Sequence, residues 1–209
     1  MKKLNAFIDI IYEFKASDEL LKSSYEEVLK LDFYQNTHNK ISIPNIKQKE
    51  EKQENLNLLY NPKFNDLHKW FNECLAMVAK DVGYKGEHKV IHSWANKSKK
   101  NERHHVHSHP MSIISGVFYL TTSLEGKGGE TYYIYDSPSW DKCFLKHNNY
   151  HYFYVRPEAG KLILFPGLLS HGCEPNDDES TRYTIAFDSF PSGEVANMKE
   201  DTIKLKIDF

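Results

Sequence analysis

The sequence predicts a mainly β protein, a β-sandwich or jelly roll with helices packed on one sheet. Three observations lead there. Helical signals dominate up to about residue 85, strand-like segments crowd the rest, and the gaps between those strands are too short for a parallel βαβ sheet. The 209 residues suit one domain, and 40% hydrophobic with 13% aromatic residues gives enough apolar surface for a core. The expected organisation is a single domain over 1–209. Within it, 1–85 is a helix-rich support, 86–190 the jelly-roll core and 191–209 a C-terminal extension. No internal repeat is present.

The elements follow in order. Ser17, Asp18 and Glu19 open a helix to about residue 31, with Leu21, Tyr25, Val28 and Leu29 at helical spacing. A second helix is expected to begin at Asn61, a good N-cap, with Pro62 in the favoured first position. Leu67, Phe71, Cys74, Leu75 and Val78 form its apolar stripe, and Gly83 is a plausible stop. The polar run 47–55 between the two reads as a solvated loop. Strands are expected at 88–95, 112–122, 130–136, 150–156, 161–165 and 182–189, all rich in Val, Ile, Thr, Tyr and Phe. Turn residues at 126–129, 157–160 and 175–178 separate them.

Composition narrows the function. Lys plus Arg number 27 against 29 Asp plus Glu, a formal net charge of -2, which argues against a protein that coats nucleic acid or anionic membrane. Three scattered cysteines fit a reducing compartment rather than a disulfide framework. No run approaches the ~18 apolar residues of a membrane span. An acid, Asp9, interrupts the N-terminal apolar stretch, so the expectation is a cytoplasmic protein without a signal peptide.

Histidine is the unusual entry in the composition. There are 11, six of them between His88 and His109. On an extended backbone His105, His107 and His109 share a face, and two neighbouring imidazoles plus one distant ligand make a facial metal site. Alternatively, such a tract is a histidine-rich surface loop. A second segment favours the site: the apolar strand 161–165 ends in Pro166-Gly167, and Ser170-His171-Gly172 follows. Arg182 and Thr184 come next, two apart on the last strand and so on one face. An arginine facing a metal cavity is costly unless an anion meets it; a carboxylate suits its paired donors, and a hydroxyl adds a third bond.

These residues resemble the iron(II)- and 2-oxoglutarate-dependent dioxygenases, and within them a group of mostly uncharacterised oxygenases of bacteria and phages. The resemblance runs through Trp94-Ala95-Asn96, His107-Ser108-His109-Pro110-Met111-Ser112, Ser115-Gly116-Val117-Phe118-Tyr119-Leu120, Gly128-Gly129-Glu130-Thr131, 160–166, His171 and Arg182-Tyr183-Thr184. It covers about 88–190 and fades in the N-terminal third. It implies a double-stranded β-helix, the cupin-like jelly roll, with iron(II) held by His107, His109 and His171. It also implies 2-oxoglutarate held through its distal carboxylate by Arg182 and Thr184, with the Tyr119 hydroxyl on the same group. The implied reaction consumes dioxygen and 2-oxoglutarate, gives succinate and CO2, and usually hydroxylates a small-molecule or peptide substrate.

One departure stands out. The family's ligand set has a carboxylate where this chain has His109; three-histidine iron sites do occur in related jelly rolls. His105 with His107, or a carboxylate from Glu130 or Asp136, are the alternative ligands. Two other readings remain: a cupin-like three-histidine enzyme without 2-oxoglutarate, and a non-catalytic metal-binding jelly roll. Trp94 and Asn96 are possible cavity residues, Cys173 reads as a small buried residue, the aromatic run 150–154 as a half-buried strand, and 140–149 as a possible lid.

Overall fold

The computed structural model describes residues 1–6, 9–36, 41–44, 57–84, 86–125, 127–136, 150–194 and 206–207. The expected loop at 47–55 and lid at 140–149 lie outside these residues. The described elements run β1 (Lys2–Ala6), β2 (Asp9–Lys15), α1 (Asp18–Val28), β3 (Phe33–Asn36), β4 (Ile41–Pro44), α2 (Asn65–Asp81), β5 (Glu87–Ser98) and β6 (His104–His107). They continue with β7 (Ile114–Tyr119), β8 (Thr131–Asp136), β9 (Tyr150–Val155), β10 (Lys161–Pro166), β11 (Ser170–Cys173), β12 (Arg182–Glu194) and β13 (Lys206–Ile207).

Two antiparallel sheets form a jelly roll. The major sheet has the order β1-β2-β10-β7-β12-β5-β4-β3, with β13 beside the far end of β12; the minor sheet has the order β6-β11-β8-β9. Side chains alternate across each strand, so each face of the major sheet builds its own core. Phe118, Leu162, Leu164, Ile185 and Phe187 face the helices, where α2 presents Leu67, Phe71, Cys74, Leu75 and Val78. Phe71 stacks on Phe187 at 4.6 Å between ring centroids and meets Phe118 edge-on at 5.6 Å. The opposite face of the same strands turns Tyr119, Ile163 and Phe165 towards Tyr133 and Val155 of the minor sheet, closing the sandwich.

Local chemistry sets the helix ends. Ser17 caps α1, its hydroxyl accepting from the Leu20 N–H at 3.2 Å. Asn61 and Pro62 start not α2 itself but a single 3-10 turn, Pro62–Phe64, which leads into it. At the other end the Gly83 N–H reaches the Lys80 carbonyl and the Tyr84 N–H the Ala79 carbonyl, with Gly83 at φ 78°: a Schellman stop that glycine makes without strain.

The N-terminal region holds more strand than the sequence predicts. β1 and β2 extend the major sheet at one edge and β3 and β4 at the other. In β2, Tyr12 and Phe14 join the helix-side core while Ile11 enters the sandwich. Asp9, Glu13 and Lys15 alternate with Ile10, Tyr12 and Phe14 in a short segment, and the partner that ties it to the sheet, β10, lies far away along the chain.

Candidate metal and cofactor site

The three predicted histidines converge. His107 ends β6 and stands opposite His171 of β11 in the minor-sheet register. His109 follows in a tight turn with Pro110 at its second position, closed by the Ser112 N–H on the His109 carbonyl at 3.0 Å. The His109 N–H in turn donates to the Gly167 carbonyl at 2.7 Å. Gly167 allows that approach, because a Cβ there would lie 2.2 Å from the Ser112 oxygen. One nitrogen from each of the three rings lies within 4.8 Å of the others.

Each ring is braced from behind. His107 Nδ1 lies 3.0 Å from the His105 carbonyl and His171 Nδ1 2.8 Å from the Leu169 carbonyl. His109 Nδ1 lies 3.0 Å and 3.2 Å from the two oxygens of the Asp188 carboxylate. These partners only accept, so each Nδ1 carries the hydrogen and donates, and each Nε2 keeps a lone pair. Burial pushes His171 down to about 3, helped by the nearby His107 ring, and burial also lowers His107. With each Nδ1 engaged, the second ring nitrogen of each histidine is left for a divalent cation, so the residues fit a metal.

The same cavity reaches Arg182 and Thr184 of β12, with Asn96 and Trp94 of β5 alongside. Arg182 is 5% exposed. It donates to the Gly129 carbonyl, to Cys173 Sγ at 3.1 Å and to Ser98 Oγ at 3.4 Å. Among the described residues no carboxylate neutralises it, and guanidinium donors remain for an incoming anion. Thr184 Oγ1 accepts from Asn96 Nδ2 at 3.4 Å. Nearby, the buried Tyr133 hydroxyl has no hydrogen-bond partner among the described residues. A buried cation beside a histidine triad fits a bound carboxylate.

Other predicted residues fall differently. Tyr119 does not line the cavity: its hydroxyl donates to Thr131 Oγ1 at 2.7 Å, and Thr131 is the residue that does. His105 is exposed and contributes only its carbonyl, to His107. Glu130 does not join the histidine group, and the Asp136 side chain lies outside the described residues. Cys173 meets Arg182 rather than the histidines. Thr131 enters the resemblance only as part of Gly128-Gly129-Glu130-Thr131, and the sequence assigns no site role to it, to Asp188 or to Tyr133. The signal for Asp188 is its place on the Arg182, Thr184, Ala186 face of an otherwise apolar strand.

The fold is a jelly roll, and its cavity gathers three histidines and a buried arginine, a set that fits one metal ion and an anion. Residues 92–188 match the family model described as "Putative 2OG-Fe(II) oxygenase". No curated protein matches the chain. Among solved structures, HygX from Streptomyces hygroscopicus, with nickel, 2-oxoglutarate and hygromycin B bound, superposes with a TM-score of 0.61 at 14% identity, over 88% of this chain and 84% of its own. A Pseudomonas putida prolyl-4-hydroxylase gives 0.55 at 12%, over 85% and 91%. A Trichoplax adhaerens prolyl hydroxylase, in complex with a hypoxia inducible factor oxygen degradation domain peptide fragment, gives 0.57 at 12%, over 86% and 83%. At these identities the structures attest the fold. Residues 92–188, just under half of the chain, are similar to the iron(II)- and 2-oxoglutarate-dependent oxygenases, whose cofactors are iron(II) and 2-oxoglutarate.

Proposed function

We propose that the protein hydroxylates a small-molecule or peptide substrate, releasing succinate and CO2, with 1–209 acting as a single oxygenase domain. His107, His109 and His171 hold iron(II) through Nε2. Arg182 and Thr184 hold the distal carboxylate of 2-oxoglutarate. Tyr119 acts one step back, by orienting Thr131. Iron(II) with 2-oxoglutarate supplies the oxidising power for dioxygen activation; the protein's residues orient the cofactor and exclude water. The observation that carries the reading is Arg182, buried without a carboxylate partner among the described residues in the cavity of the histidine triad. Similar structures hold a hygromycin B molecule or a peptide, so both substrate classes suit this fold.

The test is an anaerobic titration of Fe(II)-loaded protein with 2-oxoglutarate. A weak visible charge-transfer band that requires both, followed by succinate release in air, is the expected result. Metal binding without a 2-oxoglutarate-dependent band would turn the assignment to a three-histidine enzyme of another kind.

A further inference from the structure

The three rings are braced unequally. His107 and His171 each donate to a backbone carbonyl two residues earlier in the chain, within β6 for the first and just before β11 for the second. His109 alone donates to a side chain, and that side chain comes from the other sheet. Asp188 sits on β12, directly opposite Ser115 of β7 on one side and His92 of β5 on the other. Its carboxylate accepts from the Ser115 hydroxyl at 2.8 Å as well as from His109. The His109 ring is held face-on between Trp94, at 5.8 Å and 21°, and His171, at 5.1 Å and 12°. Asp188 is therefore anchored on one side and aimed at a ring that is itself wedged.

Charge gives this arrangement a consequence. Three neutral imidazoles leave a dication's charge undiminished, and an uncompensated charge in a partly buried cavity is costly. Arg182, lining the same cavity, adds positive charge. A carboxylate on a ligand's Nδ1–H both fixes the ring and makes Nε2 a stronger donor. We propose that Asp188 is a positioning residue of the metal site: it sets the orientation of His109 and supplies, one bond removed, the negative charge that the three ligands lack. The proposal rests on the metal-ligand reading of His107, His109 and His171.

The test needs neither 2-oxoglutarate nor oxygen. Co(II) is titrated into the full chain, and its proton NMR spectrum is recorded for the exchangeable, hyperfine-shifted ring N–H signals. Wild type is expected to show three such signals. Asp188→Asn keeps an acceptor for the Nδ1–H but removes the charge, so all three signals persist while affinity falls roughly 10- to 100-fold. Asp188→Ala is expected to lose at least as much affinity and, in addition, one signal to solvent exchange, with the other two retained. Ser115→Ala leaves the carboxylate but frees it, so a smaller loss of affinity and a broadened third signal are expected even where Asp188→Ala does not fold.

Wild-type affinity and three sharp signals in these variants would overturn the proposal. Loss of Co(II) in Asp188→Asn to the level of His107→Ala would also overturn it, by making Asp188 a ligand. If wild type itself bound no Co(II), the metal reading would fall instead, and that outcome is separate from both.

Discussion

At the scale of single residues, His171 couples metal binding to stability. It is 4% exposed, and burial holds it at about 3 in the folded chain against an ordinary histidine value of about 6.5. Between those values the unfolded chain binds a proton that the folded chain refuses. Stability is thus full above about 6.5, falls as pH drops towards 3 and levels off below it. The cost is on the order of 2 kcal/mol by pH 5 for this group alone. His104, also pushed down to about 3 by burial, acts in the same direction. Urea unfolding of chelator-treated protein should show this loss between pH 7 and pH 5, and a flat profile would contradict it. Arg182 makes the second residue-scale prediction. Arg182→Gln removes a buried cation whose partner in the proposed function is the cofactor carboxylate, a pair worth about 3–5 kcal/mol when one member is deleted. The 2-oxoglutarate requirement should rise at least about a hundred-fold while metal content, measured by elemental analysis, stays unchanged.

At the scale of elements, β7 is pinned between the site and the helices by one glycine. Val117 and Tyr119 face the sandwich, Phe118 faces α2, and a Cβ on Gly116 would lie 2.4 Å from the Phe187 ring and 2.8 Å from Leu164. That ring is held from the far side by Phe71 of α2, so it has nowhere to move. Gly116→Ala should cost about 1–3 kcal/mol and lower the melting temperature by several degrees; an unchanged melt would mean that the Phe71–Phe187 stack yields. Which elements were legible in the sequence follows from how local their determinants are. The caps at Ser17 and Gly83 are local, as are the β-branched and aromatic runs of β5, β7, β8, β10 and β12. The strands β1 to β4 are not: β2 and β4 join the sheet through the remote β10 and β5, and among the described residues β1 and β3 pair only with them. The short β6 and β11 were visible only through their histidines. His107, His109, His171, Arg182 and Thr184 do meet in one cavity, because HxH spacing and period-2 faces survive folding unchanged. Asp188 stayed hidden, because an acid on an apolar strand gains meaning only from what crosses from the opposite sheet.

At the scale of the whole molecule, the site is divided between two sheets. His107 and His171 belong to the minor sheet, Arg182 and Thr184 to the major one, and helix α2 buttresses the back of the major sheet. In the proposed site a metal alone would engage the histidines, with Asp188 bracing His109 from the far sheet. A dicarboxylate spanning metal and Arg182 would tie the two sheets together, and each ligand would then improve the other's binding, since coupling between sites is reciprocal. A ligand at a hundred times its dissociation constant adds about 2.7 kcal/mol, or roughly 5–10 °C for a chain of this size. Thermal melts with Mn(II) in place of iron, with 2-oxoglutarate, and with both should therefore show a combined shift larger than the sum of the two. In Arg182→Gln the Mn(II) shift should persist and the extra increment vanish. If 2-oxoglutarate gave the same increment with and without metal, it would be binding at the arginine alone, and the two sheets would not be joined through a shared ligand.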